Sequence, residues 1–379
     1  MTADNISTEL HAWHKRQAAL MHYFASLEYL QGLKTQVDEL IIWTDAVLSQ
    51  RAPFDAIGLA DLRWDPTDTS AHFSTYAFPA LLDFQQGVAA DIASRASDQY
   101  GLSGAYQCAR MLSEYGHSML WATREQEDAF QEKFARIYSY ADNADGILRR
   151  FPTRNDFSYW NLWNEYKHLF PRLPRFKIRT DIEGHSGSVP PRTGLYVPQT
   201  DPYGALQFAW TRGYGELGPV CTLNEFGHQA LQAVGRHGLW DDEQGLFAFA
   251  LEHLHLGIQK DDLFQVRSNL PDFSTVPLAV SRLSIEEQPC SWYFVELIDG
   301  EFEEHDGTYT QASSSINVTA HPPSILAGQP CPRSGWWFTP AKNNSRTRFD
   351  EGDVMPDIPG NHYGSVIWQW DSHQDSPRC

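Results

Sequence analysis

Four pairs of glutamate and histidine stand three residues apart, a spacing that can support metal chemistry. The pairs are Glu114/His117, Glu165/His168, Glu225/His228 and Glu252/His255, more than chance placement predicts. In a helix, residues at i and i+3 lie on one face, and di-metal carboxylate bundles use that arrangement. The same spacing also arises from ordinary surface and cap pairing. We therefore predict no metal and no cofactor, and keep a helical di-metal carboxylate enzyme as an alternative.

A second segment has part of a nucleophile motif. Gly184-His185-Ser186-Gly187-Ser188 begins like the G-x-S-x-G elbow of hydrolases but lacks the final glycine. Its proline-rich surroundings predict a turn instead. The sequence contains no P-loop, no H-E-x-x-H and no calcium-binding loop. We predict no catalytic residues and expect a protein that is not an enzyme.

Acidic side chains cluster in the C-terminal half of the chain. The clusters are Glu296, Asp299, Glu301, Glu303, Glu304 and Asp306, then Asp241 and Asp242, and finally Asp350, Glu351 and Asp353. Carboxylates at this density and without basic neighbours repel one another. They indicate either a solvated face or a surface complementary to a basic partner. On the second interpretation, the residues from Glu296 to Asp306 are the first candidate contacts and the others form a rim.

Charge and composition narrow the class of partner. The chain has 379 residues and a formal net charge of −19, of which −4 lies in residues 1–180 and −15 in residues 181–379. A protein with this charge repels nucleic-acid phosphate and anionic lipid, so we predict neither as a partner. The polar N-terminus lacks the pattern of an export signal, and five widely spaced cysteines suggest no disulfide framework. We expect a cytoplasmic location.

The apolar pattern predicts an α+β fold. Helical spacing covers the stretch Leu20–Ile41 and the segments Phe73–Ile92, Ala105–Trp121 and Glu125–Leu148, which predicts a helical, bundle-like domain over residues 1–170. From residue 171 to residue 379, prolines, glycines and alternating apolar residues predict a mixed domain. The segment 149–179 carries a net charge of +6, and we interpret it as a linker that pairs with the acidic C-terminal half.

An internal similarity lies within the mixed domain. Pro191–Val197 is similar to Pro332–Phe338, and Tyr203–Trp210 is similar to Tyr363–Trp370. All four pieces combine a glycine with alternating aromatic or aliphatic residues, as half-buried strands do. We predict two related aromatic β-hairpin units near residues 191–210 and 332–370, either paired in one sheet or packed as a pseudo-symmetric pair.

These motifs resemble a known family. The sequence looks like polymorphic-toxin immunity proteins 71 and 72 at Cys331–Phe338, Phe349–Pro356, Tyr363-Gly364 and Ile367–Trp370, and in the middle segment at Thr193–Gln199, Asp201–Gly204 and Leu206–Trp210. The resemblance covers about residues 120–371 and rests on aromatic and glycine framework residues, so it gives no inhibitory residue set.

The resemblance implies a non-enzymatic protein that protects a bacterium from a secreted toxin, commonly delivered by a type VI secretion apparatus. The implied partner is a cognate toxin domain that acts in the cytoplasm, first of all a basic, nuclease-like domain. The protein would block the active cleft of the toxin or prevent its assembly. An acidic chaperone for a secreted effector stays open as a further alternative, and so does the oligomeric state.

Overall fold

The computed structural model describes residues 9–49, 69–115, 120–149, 155–265, 271–304, 324–331, 333–339, 345–356 and 367–370. The chain divides into two compact units, residues 1–306 and 307–379. A helical N-terminal region precedes a region of helices and antiparallel strands, which confirms the α+β class. The first strand begins just after residue 170, and the division into domains 1–170 and 171–379 stays a prediction.

Helices form the described part of the N-terminal region. They are α1 (Ala12–Phe24), α2 (Leu27–Ser49), α3 (Thr69–Tyr76), α4 (Phe78–Arg95), α5 (Ala105–Glu114), α6 (Arg124–Leu148) and α7 (Asp156–Tyr166). The prediction of α6 is confirmed, and its start is fixed by a capping box. Thr123 Oγ1 accepts a hydrogen bond from the backbone N–H of Gln126, and Gln126 Oε1 accepts one from that of Thr123.

Two of the predicted helices are each split in two. The stripe from Leu20 to Ile41 is interrupted at Ser26, because the Ser26 hydroxyl accepts a hydrogen bond from the Tyr29 N–H and so starts α2. The predicted helix Phe73–Ile92 is interrupted before α4, because Pro79 has no N–H and fits the first turn of a new helix. In addition, α5 ends earlier than predicted. Local caps thus override a continuous apolar pattern.

An antiparallel sheet lies next to α1 in the first unit. The strands of this unit are β1 (Arg172–His185), β2 (Gly194–Pro198), β3 (Gln207–Ala209), β4 (Val220–Leu223), β5 (Ile285–Gln288) and β6 (Ser291–Glu304). The large sheet has the order β1-β6-β2-β3, and β4 and β5 form a separate pair. Three described α-helices lie between β4 and β5 along the chain: α8 (Glu225–Gly238), α9 (Glu243–Glu252) and α10 (Val276–Ser284).

Two large hydrophobic cores hold these elements together, and a smaller one packs Tyr196 against Trp292 and Phe294. One consists of apolar residues from α2 to α6, such as Leu33, Leu81 and Phe130. The other joins α1 and α7 to the large sheet and to α8–α10. Helix α1 therefore lies between the other helices and the sheet, and even its polar residues His14 and Gln17 are buried.

The second unit contains one described sheet. Its strands are β7 (Ser324–Leu326), β8 (Gly335–Phe338), β9 (Thr347–Phe349) and β10 (Ile367–Trp370), in the order β7-β10-β8-β9. The similar sequence segments form antiparallel strand pairs in both units, β2 with β3 and β8 with β10. Because these pairs belong to different sheets, the expectation that the two copies share one sheet is wrong for the described strands.

The two copies agree in local detail. Gly194 and Gly335 occupy the same position in the repeat, and both have a positive φ, 146° and 159°. Two residues later, Tyr196 and Trp337 are both fully buried. The Tyr196 hydroxyl donates to the carbonyl oxygen of Arg192 at 2.7 Å, and Trp337 Nε1 donates to that of Arg333, four residues earlier in each copy, at 3.4 Å. The register of the second strand differs by three residues between the copies, so the first strand is the better preserved part.

A buried carboxylate connects α1, α7 and α8. Asp156 is 1% exposed and accepts hydrogen bonds from Trp13 Nε1 at 2.5 Å and from Trp240 Nε1 at 2.5 Å. Arg236 Nη2 contributes a third bond of 2.8 Å and the compensating positive charge. Indole N–H groups and the guanidinium are donors only. The two carboxylate oxygens of Asp156 therefore act as acceptors for all three neighbours.

We expect Asp156→Asn to destabilise the fold strongly. The asparagine amide keeps one acceptor oxygen, but its NH₂ group faces a neighbouring N–H donor, and Arg236 loses its counter-charge. We expect the free energy of unfolding to fall by about 3 kcal/mol. Glu114→Gln is the matched control, because it removes an exposed ion pair with Arg110 and should change the free energy of unfolding by less than about 0.5 kcal/mol. Urea unfolding of both variants tests this, and equal stabilities would contradict the role of Asp156.

We also expect His14 to make stability depend on pH. Burial lowers the pKa of His14 to about 4, while an unfolded histidine titrates near 6.5. The unfolded state thus binds the extra proton between these values, and stability present above pH 6.5 is lost as the pH falls toward 4, by up to about 1.4 kcal/mol per pH unit. His14→Gln keeps a donor toward the carbonyl oxygen of Gly204, 3.0 Å from His14 Nε2. Its unfolding curves should lose that part of the pH dependence, and an unchanged slope would refute the assignment.

Candidate interaction surfaces

The carboxylates of β6 lie opposite cations of β1 and α1. Strands β1 and β6 pair antiparallel, with Arg172 opposite Glu304 and Lys177 opposite Glu296. The resulting ion pairs are Glu296 with Arg179 (2.9 Å) and with Arg192 (3.6 Å), Glu301 with Arg175 (2.9 Å), Glu303 with Lys15 (2.9 Å) and Glu304 with Arg172 (3.6 Å). The prediction that this cluster lacks basic neighbours is therefore wrong, because strand pairing supplies them from distant sequence. The pairing predicted for the basic segment is confirmed for three of its arginines, although they lie in a strand instead of a linker.

Asp299 differs from the other members of the cluster. Its side chain is exposed and forms no ion pair with the described residues. Asp306 lies outside the described residues. Strands β1 and β6, which we call the β1–β6 ribbon, carry seven acidic and four basic side chains. Because most carboxylates of β6 are paired within the chain, their attraction for a basic partner is weaker than the sequence suggests.

The predicted rim residues have local roles. Asp242 Oδ1 accepts a hydrogen bond from the Gly245 N–H at 2.8 Å and caps α9, and Asp241 Oδ1 lies 3.4 Å from Trp160 Nε1. Both residues are also exposed, so their carboxylates can face a partner.

Asp350, Glu351 and Asp353 belong to the second unit. There Asp353 Oδ2 accepts a hydrogen bond from the Asp350 N–H at 2.8 Å, and Gly352 has a φ of 92°. These three acids form an exposed turn. The two groups of rim residues are thus parts of different units.

The segment 239–288, which we call the acidic helical layer after α9 and α10 in its described part, combines charge with exposed apolar side chains. It contains nine acidic residues and three basic ones. Leu251 of α9 and Leu278 of α10 are 46% and 44% exposed, and Phe273 is 37% exposed. Phe247 lies one helical turn before Leu251, and its ring centroid is 5.0 Å from that of Phe273, so Leu251 and Phe273 border one patch.

Acidic residues are close neighbours of these apolar residues in the sequence. Glu252 follows Leu251 directly, and Asp272 precedes Phe273. Asp262 lies 3.7 Å from Arg282, which is one helical turn after Leu278. Asp261 is exposed and has no ion pair among the described residues. The acids Asp261 and Asp262 are visible in the sequence. The exposure of the apolar residues, in contrast, depends on how the 3-10 turns and α10 pack, which no local pattern predicts.

The Glu/His pairs do not come together in the described structure. Glu225 and His228 both lie in α8, whereas His168 and His255 lie in short 3-10 turns that follow Glu165 of α7 and Glu252 of α9. The three glutamates are exposed, and His117 lies outside the described residues. Among the residues that the structure describes, no group of three or more His, Cys, Asp or Glu could hold a metal ion.

In the segment Gly184–Ser188, the predicted turn is found at Ser186–Ser188, whereas Gly184 and His185 end strand β1. Ser186 Oγ donates to the carbonyl oxygen of Gly218 at 2.8 Å and accepts from the Cys290 N–H at 3.0 Å, so its hydroxyl is occupied by structural bonds. Burial raises the pKa of Cys290 to about 11, which keeps this neighbouring thiol protonated and unreactive.

In the described part of the chain, no helix has the length and apolar character needed to cross a bilayer. Comparisons of the chain with protein-family models, with curated proteins and with solved structures give no match. Functional inference therefore depends on the chain's own residues and on the motif resemblance.

We expect two charge reversals on β6 to differ in their effect on stability. Glu303→Lys places an ammonium group against Lys15, in a partly buried ion pair, and should cost roughly 1 kcal/mol. Asp299→Lys, on the same strand, makes the same charge change but breaks no ion pair with a described residue. It should therefore lower the free energy of unfolding by less than about 0.5 kcal/mol. Urea unfolding in low salt and in about 1 M NaCl tests this, since screening reduces the difference. An equal effect of both reversals would show that the ion pairs contribute nothing.

Proposed function

We propose that this chain is an immunity protein that binds and neutralises a secreted antibacterial toxin acting in the cytoplasm. Its partner is a basic, nuclease-like toxin domain, of the kind delivered by a type VI secretion apparatus. The protein acts by binding, not by catalysis. The motif resemblance to polymorphic-toxin immunity proteins 71 and 72 supports the class of function, and the charge distribution supports the chemistry of the partner.

The observation that carries the proposal is the acidic helical layer. Its acids outnumber its bases threefold, and it exposes the apolar side chains of Leu251, Phe273 and Leu278. Interfaces gain most affinity from a desolvated apolar centre and gain speed and selectivity from the charges around it. A nuclease surface that grips phosphate is basic, so the layer is complementary to it in charge.

The β1–β6 ribbon takes a secondary place in the proposed interface. Glu296, Glu301, Glu303 and Glu304 already have cationic partners within the chain. A toxin arginine must displace those partners to bind, which lowers the net gain. Asp299 is the ribbon carboxylate that a toxin can engage without that exchange.

Charge reversal in the acidic helical layer should weaken protection. Glu252→Lys with Asp261→Lys should slow association with the toxin about tenfold at low salt, because the steering field is reversed, and the effect should shrink as salt rises. Glu39→Lys with Asp45→Lys is the matched control, since both residues are exposed on α2 and the change in net charge is identical. The measurement is survival of a sensitive host that expresses the toxin domain encoded beside this chain's gene, with stopped-flow association of the purified pair.

Three results would contradict the proposal in different ways. If both double variants lose protection equally, the effect comes from net charge and not from the position of the charges in the acidic helical layer. No loss with either would exclude the layer as the docking surface. A complex in which the toxin keeps its enzymatic activity would identify an effector chaperone instead of an immunity protein.

The apolar patch should control the lifetime of the complex. Leu251→Ser removes an exposed apolar contact without a change in charge, so we expect faster dissociation with an unchanged association rate. Leu169→Ser is the control, because Leu169 is similarly exposed, at 40%, on a different element. Surface plasmon resonance measures both rates, and an unchanged dissociation rate for Leu251→Ser would remove the patch from the interface.

A further inference from the structure

A cavity of about 290 Å³ lies between the helices and the large sheet of the first unit. The corner between α1 and α2, the C-terminal end of α4 and the faces of β1, β2, β3 and β6 form its walls. Phe176, Phe208, Phe294 and Leu297 supply most of its apolar lining. Concave sites with apolar walls and a few polar groups are the usual form of small-molecule sites.

A second depression adjoins the cavity. It has a volume of about 420 Å³ and shares Phe294 and Leu297 with the cavity. At its rim, Asp98 accepts hydrogen bonds from Thr193 Oγ1 at 2.7 Å and Thr211 Oγ1 at 2.9 Å. Asp98 has a φ of 59°, the one positive value among described residues other than glycine. These bonds attach the end of α4 to β2 and the residues after β3, and so fix the wall that carries Arg95.

Arg95 is the charged group of the cavity. Its side chain is 7% exposed, and its guanidinium carbon lies 4.0 Å from the centre of the Tyr100 ring. Nη1 donates to the carbonyl oxygen of Ala25 at 2.8 Å, whereas Nη2 reaches Asp91 only at 3.4 Å. Nε is buried and has no hydrogen-bond partner in the described part of the chain. A buried N–H without an acceptor is costly, which points to an acceptor that the chain does not itself provide.

The neighbouring carboxylate does not fully satisfy this arginine. Asp91 Oδ1 accepts a hydrogen bond from the Gly101 N–H at 2.9 Å, so Asp91 also serves the loop after α4. A guanidinium binds a carboxylate best through two short parallel bonds, and the single long contact with Asp91 falls short of that. Arg95 therefore retains capacity for a second anionic group.

Gly194 keeps the cavity open on the sheet side. Its φ of 146° is one that side-chain-bearing residues rarely adopt, and a Cβ at this position would lie 2.8 Å from Phe294. A larger residue would thus push the Phe294 ring out of the wall. His22 lines the opposite wall, and burial lowers its pKa, so a neutral imidazole faces the cavity at neutral pH.

We propose that this cavity binds a small aromatic carboxylate, with its ring against Phe208, Phe294 and Leu297 and its anionic group directed to Arg95. The aromatic walls favour a flat ring, and the guanidinium selects a carboxylate over a neutral polar group. This inference is independent of the toxin-binding proposal, because the acidic helical layer contributes no residue to the cavity.

Calorimetric titration of the full chain with two matched probes tests the proposal. The probes are 2-naphthoate and the neutral 2-naphthalenemethanol, which share a ring system and differ in charge. We expect one naphthoate per chain, bound about tenfold more tightly than the alcohol, since one charged hydrogen bond contributes at least that factor. Absence of saturable naphthoate binding, or equal affinity for the two probes, would overturn the proposal.

Variants of the cavity make the result specific. Leu297→Trp fills the cavity and should abolish binding of both probes, while Leu169→Trp on an exposed turn should leave binding unchanged. Arg95→Met should remove the preference for the anion and keep weak binding of both probes. Because Arg95→Met also breaks the contact with Asp91, its folding is checked by circular dichroism, and Leu297→Trp remains as the independent test. Binding that survives Leu297→Trp would place the probe elsewhere and refute the site.

Discussion

The hydrogen bonds of Asp156 are the constraint on which the first unit depends. One carboxylate binds Trp13 of α1, Trp240 after α8 and the guanidinium of Arg236. Arg236 also lies over the rings of Trp13 and Trp160. Removing one charged member of such a buried pair leaves the other without its counter-charge, which is strongly destabilising. The cluster therefore specifies one arrangement of α1, α7 and α8, and the large sheet packs against the α1 surface that this arrangement fixes.

The same unit shows how strand pairing changes the meaning of charge. In the sequence, the acids after Glu296 stand more than a hundred residues from Arg172, Arg175 and Arg179. Antiparallel pairing of β1 with β6 brings them within ion-pair distance. The negative field of the molecule is therefore weak along this ribbon and stronger where helices carry unpaired acids. Distribution of charge over the surface, more than net charge, determines where a basic partner can bind.

Local signals in the sequence predict local structure well. The box formed by Thr123 and Gln126 and the acids that follow it fix the start of α6, and the alternating apolar residues after Gly194 indicate β2. The helix break at Ser26 has a local cause, the hydrogen bond from the Tyr29 N–H to the Ser26 hydroxyl. In the sequence, however, one serine is a weak signal within a long apolar stripe of helical spacing. The α+β class follows from the order of the two patterns along the chain.

Features that depend on distant residues are not visible in the sequence. The ion pairs of β6, the exposure of Leu251 and Phe273, and the cavity beside Arg95 each require side chains from three or more elements. Asp156 illustrates the limit, because its sequence position indicates only a residue in the first turn of a helix. Its three partners come from α1 and from the segment around α8, and no spacing rule connects them.

The repeated strand in the two units has a consequence for the order of folding events. In both copies an aromatic side chain binds a carbonyl oxygen only four residues earlier, so the contact closes a very short loop. The entropy lost in closing such a loop is small compared with that of joining β1 to β6 across more than a hundred residues. We expect each of these local contacts to form before β1 pairs with β6. Each unit thus contains a contact whose formation does not depend on the other unit.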